Sequence, residues 1–233
     1  MRSLSNAHHF RRIVAGTCMV LAPLLALVSG VVQPDPKLNE AQQLAVVAGH
    51  MDAWYVAQLI GLVSIVLAVP AVLGLMHMLR EREVAWGHIG GGLAMLGLLG
   101  YTGIVTMGLV QWQMAATGNT SQMTDLLHRM NHTTGMLLPF AIGAVAFGVG
   151  MVCLAIGLYR ARVVQSWMSL AVAVAATCIV VAGFTASAPV FIVGTAFLVV
   201  GLGSIGRMVL TESDEDWEHT PEYGGFRTLA GMR

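Results

Sequence analysis

The stretch TTGMLLPFAIGAVAFGVGMVCLAIGLY, residues 133–159, contains no Asp, Glu, Lys or Arg. A helix of about 20 apolar residues crosses the roughly 30 Å hydrocarbon core of a bilayer. This run is long enough to do so. It lacks the strict apolar–polar alternation of a barrel strand. A backbone in hydrocarbon must satisfy its own polar groups, and that leaves the helix. Outward from it, runs 13–32, 55–79, 87–110, 166–184 and 189–210 have the same character, with no charge in their central parts. The expected fold is all-α: a polytopic membrane protein with six transmembrane helices.

Composition agrees. The chain has 233 residues, of which 10% are charged, and a mean hydropathy of +0.74. A soluble domain carries about 25% charged residues. Residues 1–210 are expected to form the membrane domain. Residues 211–233 differ in kind: Glu212, Asp214, Glu215, Asp216 and Glu218 make an acidic run, then Pro221 and Gly224-Gly225 interrupt any helix. So few core-forming residues predict a flexible, solvated tail. The alternative is a docking segment for a protein partner, with Trp217, Tyr223 and Phe226 as anchors.

Net charge is zero, so bulk charge says nothing about nucleic acid; the expected surrounding is the lipid bilayer, with no nucleic-acid partner. The distribution of charge sets orientation. With loops assigned alternately, Arg2, Arg11, Arg12, Arg80, Arg82, Arg160, Arg162, Arg207, Arg227 and Arg233 share one side, against Lys37 and Arg129 on the other. The positive-inside rule makes the basic side cytoplasmic, with both termini there. The expected location is the cytoplasmic (inner) membrane of a bacterium. Trp54 and Trp112 fall at outer helix ends and Trp86 and Trp167 at inner ends, the places of an aromatic belt. Run 13–32 follows Arg11-Arg12 but lacks a small-x-small cleavage site, so it is read as an uncleaved first span. Residues 1–12 are read as a short basic arm. Cys18, Cys153 and Cys178 lie inside spans and suit neither a metal motif nor a loop disulfide.

The outer loops carry their own signals. Residues 38–48 predict a short amphipathic helix with Asn39 as N-cap and a break near Gly49. Gly118-Asn119 is a turn signal. Residues 120–130 predict a helix running into span four. Residues 185–188 are too few for anything but an antiparallel hairpin of spans five and six. Glycines crowd spans three and four and predict close packing there, or a protein-partner face. Pro70 and Pro139 fall inside spans and predict kinks. His50 and His132, Gly74 and Gly157, Arg80 and Arg162, and Trp86 and Trp167 recur at offsets of 81 to 83, the trace of an internal repeat.

No charged residue lies in the middle of a span, which disfavours a proton relay or pump. There is no P-loop, no Gly-x-Ser-x-Gly and no His-Glu-x-x-His. No carboxylate pair marks general acid–base chemistry, so a non-enzymatic protein is expected. Histidine remains. His50, His128 and His132 lie on the outer side with Asp52 and Asp125 nearby. His128 and His132, four apart, share a helix face. Such an imidazole pair suits Zn or Cu, completed by Asp52 or His50. Met51, Met123, Met130 and Met136 would favour Cu(I). On the inner side, Met76-His77-Met78 ends span two and His88 opens span three, a second place where two imidazoles would be neighbours.

Six spans with His50, His88 and His132 near the starts of spans two, three and four resemble the cytochrome b561 family. The resemblance implies haem b held by His50 and His132, and an electron carrier. It departs near Ser169, where the family pattern would need a fourth histidine. Depth points the other way for the outer pair. At about 1.5 Å per residue, the helix from His50 to Arg80 measures roughly 45 Å, beyond a roughly 30 Å core. In layout and composition the chain also resembles the small uncharacterised six-helix membrane proteins of GC-rich bacteria.

Overall fold

A computed structural model of the chain describes residues 2–34, 39–117, 120–214 and 217; of residues 2–8, 120, 136 and 137 the backbone alone is described. Eight helices and no strand form among them: α1 Arg2–Val32, α2 Glu40–Gly49, α3 Met51–Leu79, α4 Val84–Ala116, α5 Thr120–His132, α6 Thr134–Ala161, α7 Ser166–Thr185 and α8 Ala188–Thr211. Six of them, all but α2 and α5, are long and apolar enough to cross a membrane. These are the six expected spans.

The spans close into a ring. Each packs on the next in chain order, α1 on α3, α3 on α4, α4 on α6, α6 on α7 and α7 on α8, and α8 returns onto α1. Helices α3 and α6 also touch across the middle. Lipid supplies no hydrophobic drive for this, so close approach and polar stitches must. Between α4 and α6, a Cβ on Gly100 would lie 2.6 Å from Gly143 Cα, and one on Gly90 would lie 2.9 Å from the Gly150 carbonyl oxygen. The two glycine-rich faces thus meet each other. Between α1 and α3, Ser29 Oγ donates to the Ala57 carbonyl at 2.9 Å and Ser64 Oγ to the Ala22 carbonyl at 2.8 Å.

The buried core concentrates toward the basic end, where Leu75, Leu79, Leu154, Leu158, Ile205 and Val209 interlock with Trp217. Pro23, Pro70 and Pro139 stand inside α1, α3 and α6, each of which continues through its proline. The α7–α8 hairpin turns on Ala186 and Ser187, with Ala186 left-handed at φ 50°. The order of one short helix followed by two spans occurs twice, as α2–α3–α4 and as α5–α6–α7.

Four expectations are revised. Residues 2–12 are not a separate arm but the first turns of α1. Helix α5 does not run into the fourth span: Thr133 takes an extended conformation (φ −84°, ψ 116°) and breaks the two apart, its Oγ1 donating to the Arg129 carbonyl. Trp54 is not a lipid-facing belt residue. It is 2% exposed and donates from Nε1 to the Gly108 carbonyl at 2.8 Å. The start of the acidic tail is packed on the bundle. Trp217 stacks on His77 at 4.6 Å between ring centroids, and its carbonyl lies 3.1 Å from His77 Nε2. The other two proposed tail anchors, Tyr223 and Phe226, lie outside the described residues, as does the Gly118-Asn119 turn.

Beside Trp217, Arg12 ties the first helix to the last. Its Nε donates to Asp214 Oδ1 at 2.8 Å and its Nη1 to the Leu210 carbonyl at 3.2 Å. Burial works against ionising Asp214, but the His9 hydrogen bond and the Arg12 charge outweigh it and hold the carboxyl below its ordinary value.

Candidate metal centre on the capping helices

Helices α2 and α5 lie at the end of the bundle opposite Arg12 and Trp217. Helix α2 starts where Asn39 caps it: Oδ1 accepts from the backbone N–H groups of Ala41 at 3.0 Å and Gln42 at 3.3 Å. That places Glu40 in the first turn, where the helix dipole favours a carboxylate. Four residues on, Leu44 is buried with Met114 of α4 and Leu127 of α5, and Met123 packs against the three. Gln43 Nε2 donates to Gln111 Oε1 at 3.0 Å beside this cluster. The apolar contact fixes α2 across α5 and brings Glu40 over the His128/His132 face.

Glu40 Oε1 lies 3.4 Å from His128 Nδ1 and 3.7 Å from His132 Nδ1. The two imidazoles face each other at 4.1 Å between centroids. One ligand atom from each of Glu40, His128 and His132 falls within 4.8 Å of the others. The His132 Nδ1 also lies 2.9 Å from the His128 carbonyl oxygen. In the tautomer that donates there, Nε2 is left to ligate, an arrangement common in metal-bound histidines. The Glu40 backbone N–H bonds its own carboxylate and, with the neighbouring imidazoles, holds its pKa below the ordinary value. The carboxylate is therefore in the form a cation needs. Both imidazoles are exposed, while the Glu40 side chain is 16% exposed.

The structure thus brings together His128 and His132, as their spacing predicts, with Glu40, which sequence reasoning missed. The signal for it was faint: an acid directly after an N-cap residue, on a loop whose path the sequence does not specify. His50 occupies the joint between α2 and α3, exposed, with Nδ1 3.1 Å from the Val46 carbonyl oxygen. Asp52 is exposed in the first turn of α3. Neither belongs to the three-residue group. Of the methionines, Met123 fills the apolar cluster under the cap. At the other end, His77 is engaged by Trp217, and His88 Nδ1 lies 2.9 Å from the Val84 carbonyl oxygen one turn back in its own helix.

Six apolar helices in a closed ring, with two short helices capping one end, define a multi-pass membrane protein with a histidine–carboxylate cluster on its cap. The chain belongs to the family described as domain of unknown function DUF4386, which matches residues 14–211. The match takes in most of the first span, the other five spans and both capping helices. No curated protein and no solved structure matches the chain. The matched family is not cytochrome b561.

Proposed function

We propose that this chain is a multi-pass protein of the bacterial cytoplasmic membrane, with both termini cytoplasmic, that binds a zinc or copper ion on its outer cap. The observation that carries the reading is the convergence of Glu40, His128 and His132 from two separate helices to within 4.8 Å. Three nitrogen and oxygen ligands with an open fourth position are the ordinary set for a zinc ion that exchanges a ligand. The fourth position falls to water, because His50 closes α2 about 15 Å along the helix from Glu40, and Asp52 lies beyond it. A bound ion of about 2.0–2.2 Å bond length needs ligand atoms roughly 3.3 Å apart. Exposed imidazoles reach that by small side-chain rotations. With Met123 turned into the apolar cluster, nitrogen and oxygen donors dominate, and they favour Zn(II) or Cu(II) over Cu(I).

The orientation rests on the ten-to-two asymmetry of Arg and Lys between the two loop sets. For the reading as a partner subunit, Gly90 and Gly100 of α4 are taken up by Gly150 and Gly143 of α6, while Gly92 stays open. The docking segment on that reading would be the acidic tail. Haem b on His50 and His132 has only the histidine spacing behind it. The test is metal content of the purified full chain against the His128→Ala/His132→Ala variant. Metal bound by the first and lost from the second supports the reading.

A further inference from the structure

A groove of about 410 Å³ runs between α6 and α7 at the basic end. Ile156 and Tyr159 form one wall, Trp167 and Leu170 the other, and Ser169 and Ala173 line it between them. All four wall residues are exposed. In a membrane-spanning ring this means that they face lipid, and the groove opens to the bilayer. Its volume lies within the roughly 300–1,000 Å³ of small-ligand clefts.

Ser169 is the second observation. It is 3% exposed, and its Oγ is the sole buried side-chain polar atom among the described residues with no hydrogen-bond partner. The other buried hydroxyls are satisfied, Ser64 on Ala22 at 2.8 Å and Thr195 on Phe191 at 2.9 Å. An unpaired buried hydroxyl is costly. Ser169 lines the groove, and a rotation about its χ1 turns the hydroxyl toward an acceptor from whatever fills it. A second copy of this chain would lay an apolar helix face in it, whose carbonyls are already bonded within that helix. A phospholipid brings free ester carbonyls. Ser169 lies in the first turn of α7, close to Trp167 and Tyr159, the aromatic types that mark headgroup level. The turn closing the groove holds Arg160 and Arg162. Arg160 donates from Nε to Glu83 at 3.1 Å and lies 6.0 Å over Trp86, while Arg162 is an exposed cation at the α6 C-cap.

We propose that this groove binds one anionic phospholipid of the leaflet at the basic end. An acyl chain lies along Ile156, Leu170 and Ala173, the Ser169 hydroxyl donates to an ester carbonyl, and Arg162 attracts the phosphate. The site is remote from Glu40, His128 and His132 and stands or falls independently of them.

The test reconstitutes the full chain in nanodiscs of equal parts dioleoyl phosphatidylglycerol and dioleoyl phosphatidylcholine. Native mass spectrometry in mild detergent then counts retained lipid. Retention of phosphatidylglycerol over phosphatidylcholine is expected. Ser169→Ala is expected to weaken retention roughly three- to tenfold, the worth of one hydrogen bond, with an unchanged unfolding midpoint. Arg162→Gln is expected to remove the preference for phosphatidylglycerol, and Ala173→Leu to block retention by filling the groove. Equal retention of the two lipids by the native chain overturns the proposal. So does undiminished retention by Ser169→Ala, or an Ile156→Cys disulfide dimer that excludes lipid.

Discussion

Glu40 Oε1, in the first turn of α2, lies 3.4 Å from Nδ1 of His128 in α5. One belongs to the segment before the second span, the other to the segment before the fourth. Each capping helix leads into its span through a single joint residue, His50 in one case and Thr133 in the other. The carboxylate–imidazole contact therefore adds a link between two segments whose spans, α3 and α6, are not neighbours in the ring and meet only across its middle. A cation there would strengthen the same link.

That contact has a pH signature. The Glu40 carboxyl sits below its ordinary value of 4.5, chiefly because its own backbone N–H bonds it, with His128 and His132 adding to the effect. A group with a depressed folded-state pKa contributes stability above its unfolded pKa and loses it as pH falls through the folded value. Metal-free Glu40→Gln is therefore expected to unfold below the native chain near neutrality. The two are expected to converge as pH falls below 4.5. A gap that persists in acid would contradict this assignment.

The α4–α6 contact predicts a contrast between two glycines of one helix. A Cβ at Gly100 meets the backbone of Gly143 at 2.6 Å, whereas one at Gly92 meets nothing within 4 Å. Gly100→Ala is expected to cost about 1–3 kcal/mol through overpacking. Gly92→Ala is expected to be neutral or slightly stabilising, since alanine is the better helix former. Unfolding in mixed micelles measures both.

The spans were legible because bilayer crossing depends on composition over a long window, and all six runs carry that signal. Asn39 and the break by Gly49 were legible because capping is local. The His128/His132 pair was legible because helical spacing alone sets it. Glu40 was not. Its place depends on where Leu44 and Leu127 dock over Met114, a packing outcome between distant segments. Trp54 looked like a belt residue because position along a helix says nothing about which side faces a neighbour. Trp217 was hidden for a related reason: its charged surroundings describe a solvated tail, and its seat on His77 exists only once α3 and α8 have packed on either side of α1.

Trp217 supplies the next expectation. Its ring is 6% exposed and stacked on His77 at 4.6 Å. Trp217→Ala is expected to lower stability by about 3 kcal/mol and to speed cleavage by endoproteinase Glu-C after Glu212. Native-like stability and cleavage would show that the tail contributes nothing to the bundle.

Topology is checked by cysteine labelling in intact cells. Ala48→Cys in α2 and Ser121→Cys in α5 are expected to react with a membrane-impermeant maleimide, while Arg82→Cys is expected to react only after permeabilisation. Cys18, Cys153 and Cys178 lie within spans and set the background. The reverse pattern would invert the protein and place Glu40, His128 and His132 in the cytoplasm.

The most direct measurement is elemental analysis of the full chain, purified in mild detergent, loaded with zinc and desalted. Roughly one ion per chain is expected, as for an ordinary three-ligand zinc site. His128→Ala/His132→Ala is expected to fall to background and Glu40→Gln to retain a reduced share. Zinc at background in the native chain, or undiminished in the double variant, would contradict a metal centre on the cap.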